Sequence, residues 1–195
     1  MAVEIETPHG LARAHVQEVP GAGSMLVLGH GAGGGVGAPD LMVATRVAIE
    51  EGISVALVEQ PYAVAGRRSP APAKQLDAAW IAVLQEVAGG RALIAGGRSS
   101  GARVACRTAE ATGAVGILCL AFPVHPPGKP EKTRLDELDA VRVPVLVVQG
   151  ERDPFGMPEP RPGREVVRLA GDHGLKKDPE GLAQAVRRWL SANRA

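Results

Sequence analysis

The chain of 195 residues is nearly neutral, with 22 basic and 21 acidic residues and a formal net charge of +1. This balance excludes the strongly basic surface that nucleic acids and anionic membranes attract. With two Trp, two Phe and one Tyr, the chain also has few rings on which bases could stack.

The composition predicts one domain, residues 1–195. A chain of this length can bury a substantial core, and a composition of 45% apolar but 3% aromatic residues makes that core one of Ala, Val, Leu and Ile. No apolar run reaches the roughly 20 residues of a membrane span. The amino terminus is polar and acidic and lacks the pattern of a signal peptide, so we expect a cytoplasmic protein.

Predicted strands and helices alternate along most of the chain. An antiparallel hairpin, 3–7 with 11–19, opens the sheet. The remaining strands are 25–28, 53–59, 91–96, 115–122, 143–149 and 165–170, and the helices are about 39–51, 73–87, 100–112, 134–139 and 179–192. Segments 61–72 and 123–132 are expected to be loops. This order predicts an α/β fold, a three-layer αβα sandwich with a mostly parallel sheet.

A glycine-rich segment, 30–37, follows the strand 25–28. Residues 33–38 fit the relaxed dinucleotide fingerprint G-x-G-x-x-A, and Glu59 ends the next strand where a ribose-binding acid would lie. However, the segment opens with His-Gly and is looser than that fingerprint requires. The competing interpretation is a loop whose backbone N–H groups stabilise an oxyanion, with His30 fixing the loop by hydrogen bonding.

Residues 97–101 read Gly-Arg-Ser-Ser-Gly and fit the motif G-x-S-x-G. They lie between a predicted strand and a predicted helix, the context in which such a serine becomes an exposed nucleophile on a strained turn. The motif alone is weak in a chain with 25 Gly. The alternative is that Ser99 only caps the helix.

A nucleophilic serine needs a base, and the base needs an orienting acid. The strand 143–149 ends in a turn that carries Glu151 and Asp153, and the strand 165–170 ends in a loop that carries Asp172 and His173. Both follow the carboxyl ends of strands, where open α/β sheets place their sites. Asp172 directly precedes His173, so its side chain should point away from the imidazole.

These segments resemble the α/β-hydrolase superfamily, and most closely its small cap-less branch related to dienelactone hydrolase and to the testis-expressed and chromatin-complex-subunit-like hydrolases. The matching segments are 30–34, 96–105, 123–129, 150–154 and 171–173. The resemblance implies a serine hydrolase that cleaves an ester or related acyl bond. Thioester hydrolysis and perhydrolysis use the same residues and stay open.

The resemblance also implies the role of each site residue. Ser99 is the expected nucleophile, His173 the base and Asp153 the acid, in preference to Glu151. The expected oxyanion donors are the backbone N–H groups of Ala32 and Ser100, with Gly33 the nearest alternative to Ala32. The expected partner is a small acyl substrate, without a cofactor. Segment 123–142 is too short for a cap domain.

The main rival is a non-catalytic interaction protein on the same scaffold, since the branch contains subunits of larger assemblies. Cys106 and Cys119 are expected to be buried reduced thiols, without metal-ligand spacing to any histidine. His125 is expected in a Pro-rich surface loop rather than at the mouth of a pocket, and His9 and His15 are expected to be solvated.

Overall fold

A computed structural model of the protein describes residues 1–193. Its eight strands form one sheet in the order β1-β2-β4-β3-β5-β6-β7-β8. The strands are β1 (Ala2–Thr7), β2 (Gly10–Gln17), β3 (Ser24–Gly29), β4 (Ser54–Glu59), β5 (Ala92–Arg98), β6 (Gly116–Leu120), β7 (Val145–Gly150) and β8 (Arg164–Leu169). The helices are α1 (Pro39–Glu50), α2 (Pro61–Val64), α3 (Ala73–Ala88), α4 (Ser100–Thr112), α5 (Leu135–Asp139) and α6 (Pro179–Asn193).

The sheet is antiparallel only at its amino-terminal edge. Strands β1 and β2 form the predicted hairpin, and β2 also pairs antiparallel with β4. From β4 to β8 every neighbouring pair is parallel. The predicted mostly parallel sheet with an amino-terminal hairpin is therefore confirmed.

Helices cover both faces of the sheet. Successive residues of a strand point to opposite faces, so Met25 and Val27 of β3 pack with α3 and α4, while Leu26 and Leu28 pack with α1 and α6. Trp80 of α3 is fully buried in the cluster between the sheet and helices α3 and α4. The two apolar clusters lie one on each face of the sheet, so the sheet and the helices on its two sides form the three layers that the alternation of elements predicts.

Several local predictions were wrong. Strands β2 and β6 end two residues earlier than expected, and β7 begins two residues later. Pro61–Val64 forms a one-turn helix where a loop was expected, because Pro61 at its first position already has a helical φ. Strand β5 runs to Arg98, two residues beyond its expected end. The glycines that suggested an early end are needed inside the strand, since a Cβ on Gly96 would overlap the Leu118 carbonyl oxygen.

The parallel strands bring four loops to one edge of the sheet. The carboxyl ends of β3, β5, β7 and β8 carry the glycine segment, the serine motif, Asp153 and His173 respectively. Because parallel strands all end at the same edge, these loops meet although they are far apart in the sequence.

Candidate active site

Ser99 occupies a tight turn between β5 and α4. Its backbone has φ 52° and ψ −110°, a left-handed conformation that is costly for a residue with a Cβ. The Ser99 N–H donates to the Leu120 carbonyl at 2.9 Å, which fastens the turn to the end of β6. A Cβ on Gly101 would overlap the Gly29 carbonyl oxygen, so the turn packs directly on β3. The turn therefore holds Ser99 in its strained conformation.

The side chain of Ser99 does not cap the helix that follows it. Ser99 is at the N-cap position of α4, but it makes no side-chain capping hydrogen bond. Its Oγ instead lies 2.9 Å from His173 Nε2. The interpretation of Ser99 as a simple helix cap was therefore wrong.

His173 connects Ser99 with Asp153. Its Nδ1 lies 2.8 Å from Asp153 Oδ2. A carboxylate only accepts hydrogen bonds, so the proton of a neutral imidazole is on Nδ1 and the lone pair of Nε2 faces the serine hydroxyl. This arrangement lets Nε2 accept the hydroxyl proton of Ser99.

The carboxylate of Asp153 is fully enclosed and hydrogen-bonded. Its side chain has no exposed surface. Oδ2 accepts from both His173 Nδ1 and Gln149 Nε2, and Oδ1 accepts from the Phe155 N–H at 2.9 Å. Sequence reasoning missed Gln149, although a buried polar residue at the end of an otherwise apolar strand was a usable signal.

Asp172 and Glu151, the acidic residues nearest in the sequence to His173 and Asp153 respectively, do not bind the His173 imidazole. Asp172 Oδ1 accepts from the Gly174 N–H at 2.9 Å, and this hydrogen bond lowers the pKa of Asp172. Glu151 is exposed. Of the acidic residues on these two loops, Asp153 is the one that the structure places against the imidazole.

Phe155 packs its ring edge-on against His173, with ring centroids 4.4 Å apart. The contact limits rotation of the imidazole, and sequence reasoning missed it. His125 is next to Phe155, because the backbone N–H of His125 donates to the Phe155 carbonyl at 3.2 Å. His125 is half-buried on the Pro-rich loop, and that loop packs against the turn of Asp153.

The glycine segment turns beside Ser99. The Gly34 N–H donates to the Gly31 carbonyl at 3.1 Å, and a Cβ built on Gly31 would lie 3.5 Å from Ser99 Cβ. Ala32 follows Gly31 and is exposed. Ser100 is the first residue of α4, where an N–H has no partner within the helix. Ser100 thus adjoins Ser99 in the chain, and the glycine segment approaches Ser99 at Gly31, the residue before Ala32.

His30 connects the glycine segment to the end of β4. Its Nε2 accepts from the Gln60 N–H at 3.3 Å, and its Nδ1 lies 2.9 Å from the Gly31 carbonyl oxygen. Since Nε2 accepts, Nδ1 carries the proton and donates to that carbonyl. The buried imidazole thus holds the segment as expected.

The dinucleotide interpretation of the glycine segment was wrong. Glu59 is bound to Arg13 at 3.3 Å. In the sheet, the neighbour of β4 on the side away from β3 is β2 of the hairpin, which is antiparallel to β4. A dinucleotide-binding fold has a further parallel strand at that position.

Cys106 and Cys119 are buried and free, as expected, and their Sγ atoms lie 3.5 Å apart. The hydrogen bond to Cys119, together with burial, raises the pKa of the Cys106 thiol. Among residues 1–193, no three His, Cys, Asp or Glu side chains are grouped to hold a metal ion. Nor is any helix in this part of the chain long and apolar enough to cross a membrane.

Solved structures share this fold at low sequence identity. A lidless α/β serine hydrolase from Xanthomonas campestris is 23% identical, with a TM-score of 0.78 over 97% of this chain and 94% of that chain. An esterase from Pyrococcus furiosus is 17% identical, with a TM-score of 0.80 over 100% and 90%. Dienelactone hydrolase from Anabaena variabilis is 13% identical, with a TM-score of 0.77 over 100% and 98%.

No curated protein matches the chain. Residues 22–178 match the family model described as alpha/beta hydrolase domain. The match includes the glycine segment, the serine turn and the loops of Asp153 and His173. The fold, like that of the Xanthomonas protein, has no lid. Because the family model covers well over half of the sequence, the protein belongs to the α/β-hydrolase family.

Proposed function

We propose that the protein is a serine hydrolase that cleaves an ester or a related acyl bond through an acyl-enzyme. The observation that carries the proposal is the pair of hydrogen bonds that joins Ser99 Oγ to His173 Nε2 and His173 Nδ1 to Asp153. A nucleophile, a base and an orienting acid in this geometry are the requirements of acyl transfer.

In the first step, Ser99 Oγ attacks the substrate carbonyl carbon while its proton passes to His173 Nε2. Asp153 stabilises the imidazolium and keeps the ring oriented. The carbonyl oxygen becomes an oxyanion, and the backbone N–H groups of Ala32 and Ser100 stabilise it. The imidazolium then gives its proton to the leaving group, and the acyl group stays on Ser99.

The second step reverses these roles. Water attacks the acyl carbon, and His173 accepts the proton of the water. Collapse of the second tetrahedral intermediate releases the acid and returns the proton to Ser99. No metal or cofactor takes part in either step of the proposal.

The strained turn favours this enzyme over a non-catalytic interaction protein. A left-handed Ser99 costs of the order of 1–3 kcal/mol, and a scaffold that performs no chemistry gains nothing from that cost. A fold alone does not certify activity, but Ser99 also has His173 beside its hydroxyl and Asp153 behind that imidazole.

Reaction with a fluorophosphonate probe tests the proposal. The probe phosphonylates an activated serine, and mass spectrometry of the labelled peptide identifies which serine carries it. We expect labelling at Ser99, followed by turnover in a panel of ester and thioester substrates. An unlabelled, folded protein would support the interaction protein instead, and labelling at Ser100 would move the nucleophile by one residue.

A further inference from the structure

Arg98 lies directly before Ser99, as the last residue of β5. Its Nε donates to Asp40 Oδ2 at 2.7 Å, and its Nη2 donates to the main-chain carbonyl of His173 at 2.9 Å. One guanidinium thus connects a carboxylate on α1 with the backbone of the histidine that faces Ser99. The side chain is 21% exposed, so water screens these contacts only in part.

Asp40 anchors this guanidinium from the other side. The Asp40 side chain has no exposed surface, and its Oδ1 accepts from the Leu41 N–H at 2.9 Å. Burial raises the pKa of Asp40, and the cation of Arg98 opposes this change. A planar guanidinium paired with a buried carboxylate has little freedom to turn, so its remaining N–H groups keep fixed directions.

The guanidinium also borders the glycine segment. A Cβ built on Gly31 would lie 3.2 Å from Arg98 Nη1 and 3.5 Å from Ser99 Cβ. Arg98 therefore lies against the glycine segment, which carries the expected oxyanion donor Ala32, as well as against the loop of His173. Arg98 thus connects the glycine segment after β3, the serine turn after β5 and the His173 loop after β8.

The loop of His173 has an unusual backbone that benefits from such a contact. Gly171 has φ 123° and Leu175 has φ 48°, so left-handed residues flank the histidine on both sides. The Asp172 side chain stabilises the turn locally through the Gly174 N–H. The hydrogen bond from Arg98 attaches this loop to the strand that carries Ser99.

We propose that Arg98, anchored by Asp40, is a positioning residue that keeps His173 Nε2 within hydrogen-bonding distance of Ser99 Oγ. The inference rests on the proposed serine hydrolase function. Arg98 acts through the backbone of His173 and does not touch the substrate. Its loss should therefore lower kcat and leave KM nearly unchanged, since ground-state binding does not depend on it.

The substitution Arg98→Lys tests this role without leaving Asp40 unpaired. Lysine keeps the positive charge, but its ammonium lacks the planar fork that reaches a carboxylate and a carbonyl at once. Arg164→Lys is the matched control. Arg164 also binds an acid, Asp139 at 2.8 Å, and a main-chain carbonyl, that of Glu159 at 3.0 Å. Arg164 is the first residue of β8, so it lies at the amino-terminal ends of the parallel strands, whereas the site lies at their carboxyl ends.

A double variant, Arg98→Met with Asp40→Leu, guards against a loss of folding. It removes both partners of a buried pair, and such replacements by apolar residues are often neutral for stability. Thermal unfolding should show that the variants fold. Kinetics with p-nitrophenyl acetate and hydrogen exchange of the amides in 171–175 then measure positioning.

We expect kcat to fall at least about tenfold in Arg98→Lys and in the double variant, because small displacements of reacting groups are costly. We expect KM to stay within about twofold of wild type, and Arg164→Lys to stay within about twofold in both constants. Amides of 171–175 should exchange faster in Arg98→Lys than in Arg164→Lys.

Several results would overturn the inference. They are wild-type kcat in the folded Arg98 variants, a raised KM at unchanged kcat, or a lowered kcat with unchanged exchange in 171–175. A wild-type protein that the fluorophosphonate does not label would overturn the proposed function itself, and the inference with it. A labelled wild type with equal labelling rates in Arg98→Lys would overturn only the role of Arg98.

Discussion

Gln149 Nε2 donates to Asp153 Oδ2, the same oxygen that accepts the His173 Nδ1 proton, and both distances are 2.8 Å. The buried amide of Gln149 also donates to the carbonyl of Phe122, two residues after the end of β6, so the segment after β6 fixes the amide as well. The other oxygen of Asp153 accepts from the Phe155 N–H. Each oxygen of this carboxylate therefore faces an N–H group.

This arrangement predicts that Asp153→Asn lowers kcat/KM by about 10³-fold or more. When the new amide turns its NH2 toward His173, the favoured imidazole tautomer is wrong for a base. When it turns the NH2 the other way, that group faces the Phe155 N–H donor. Steady-state kinetics on an ester substrate check this result. Glu151→Gln and Asp172→Asn are the matched controls and should stay within about tenfold of wild type. A greater loss in Glu151→Gln would reassign the acid.

Ser99→Ala should abolish fluorophosphonate labelling and reduce kcat by about 10³-fold or more, because it removes the nucleophile. Alanine is as small as the turn demands, so the thermal unfolding temperature should change little. Ser100→Ala is the control. It keeps the backbone N–H that we assign to the oxyanion and should still be labelled. Full turnover by Ser99→Ala would contradict the proposed nucleophile.

Short acyl esters should be better substrates than long ones. Between β6 and β7 the chain forms only the five-residue helix α5 and loops, and no lid covers the site. A cavity of about 230 Å³ beside the glycine segment is lined in part by Arg67 and Arg68. Little apolar surface is available to gain the roughly 25 cal/mol per Å² of burial.

A series of p-nitrophenyl esters measures this preference. We expect kcat/KM to be higher for the acetyl to butyryl esters than for the decanoyl ester. A steady rise of kcat/KM with chain length would show that apolar walls come from elsewhere, such as a second copy of the chain.

Gly101→Ala should lower the free energy of unfolding by about 2 kcal/mol. Alanine normally favours a helix over glycine, but here its Cβ would overlap the Gly29 and His30 backbone. Gly37→Ala is the matched control, because no atom lies within 4 Å of the added Cβ. Thermal unfolding should show a decrease of roughly 4–8 °C for Gly101→Ala and little change for the control. Equal stability of the two variants would mean that the turn can move away from β3.

Cys106 and Cys119 should resist thiol reagents in the native protein. Thiolate is the reactive form, and the raised pKa of Cys106 and the burial of both residues disfavour it. A colorimetric disulfide reagent should titrate both thiols only in denaturant. The exposed variant Ser69→Cys provides a positive control that reacts at once. Rapid native reaction at position 106 or 119 would indicate local opening of α4.

Local patterns determined the order and kind of most elements. Alternating apolar runs and glycine-bounded turns predicted the hairpin, the serine turn and the helix Ser100–Thr112, whose bounds agree with the structure. These signals depend on residues within a few positions of one another, so a single sequence carries them. The approximate places of Ser99, Asp153 and His173 at strand ends followed from the same patterns.

The tertiary structure decided which side chains meet. The parallel run β5-β6-β7-β8 placed the loops after β5 and β8 at the same end of the sheet, and there His173 meets Ser99 across 74 positions of sequence. Gln149, Phe155 and the Arg98–Asp40 pair gained their places in the same way. Hydrogen bonds and ring contacts depend on distances of a few ångströms between separate elements, and no local periodicity encodes those distances.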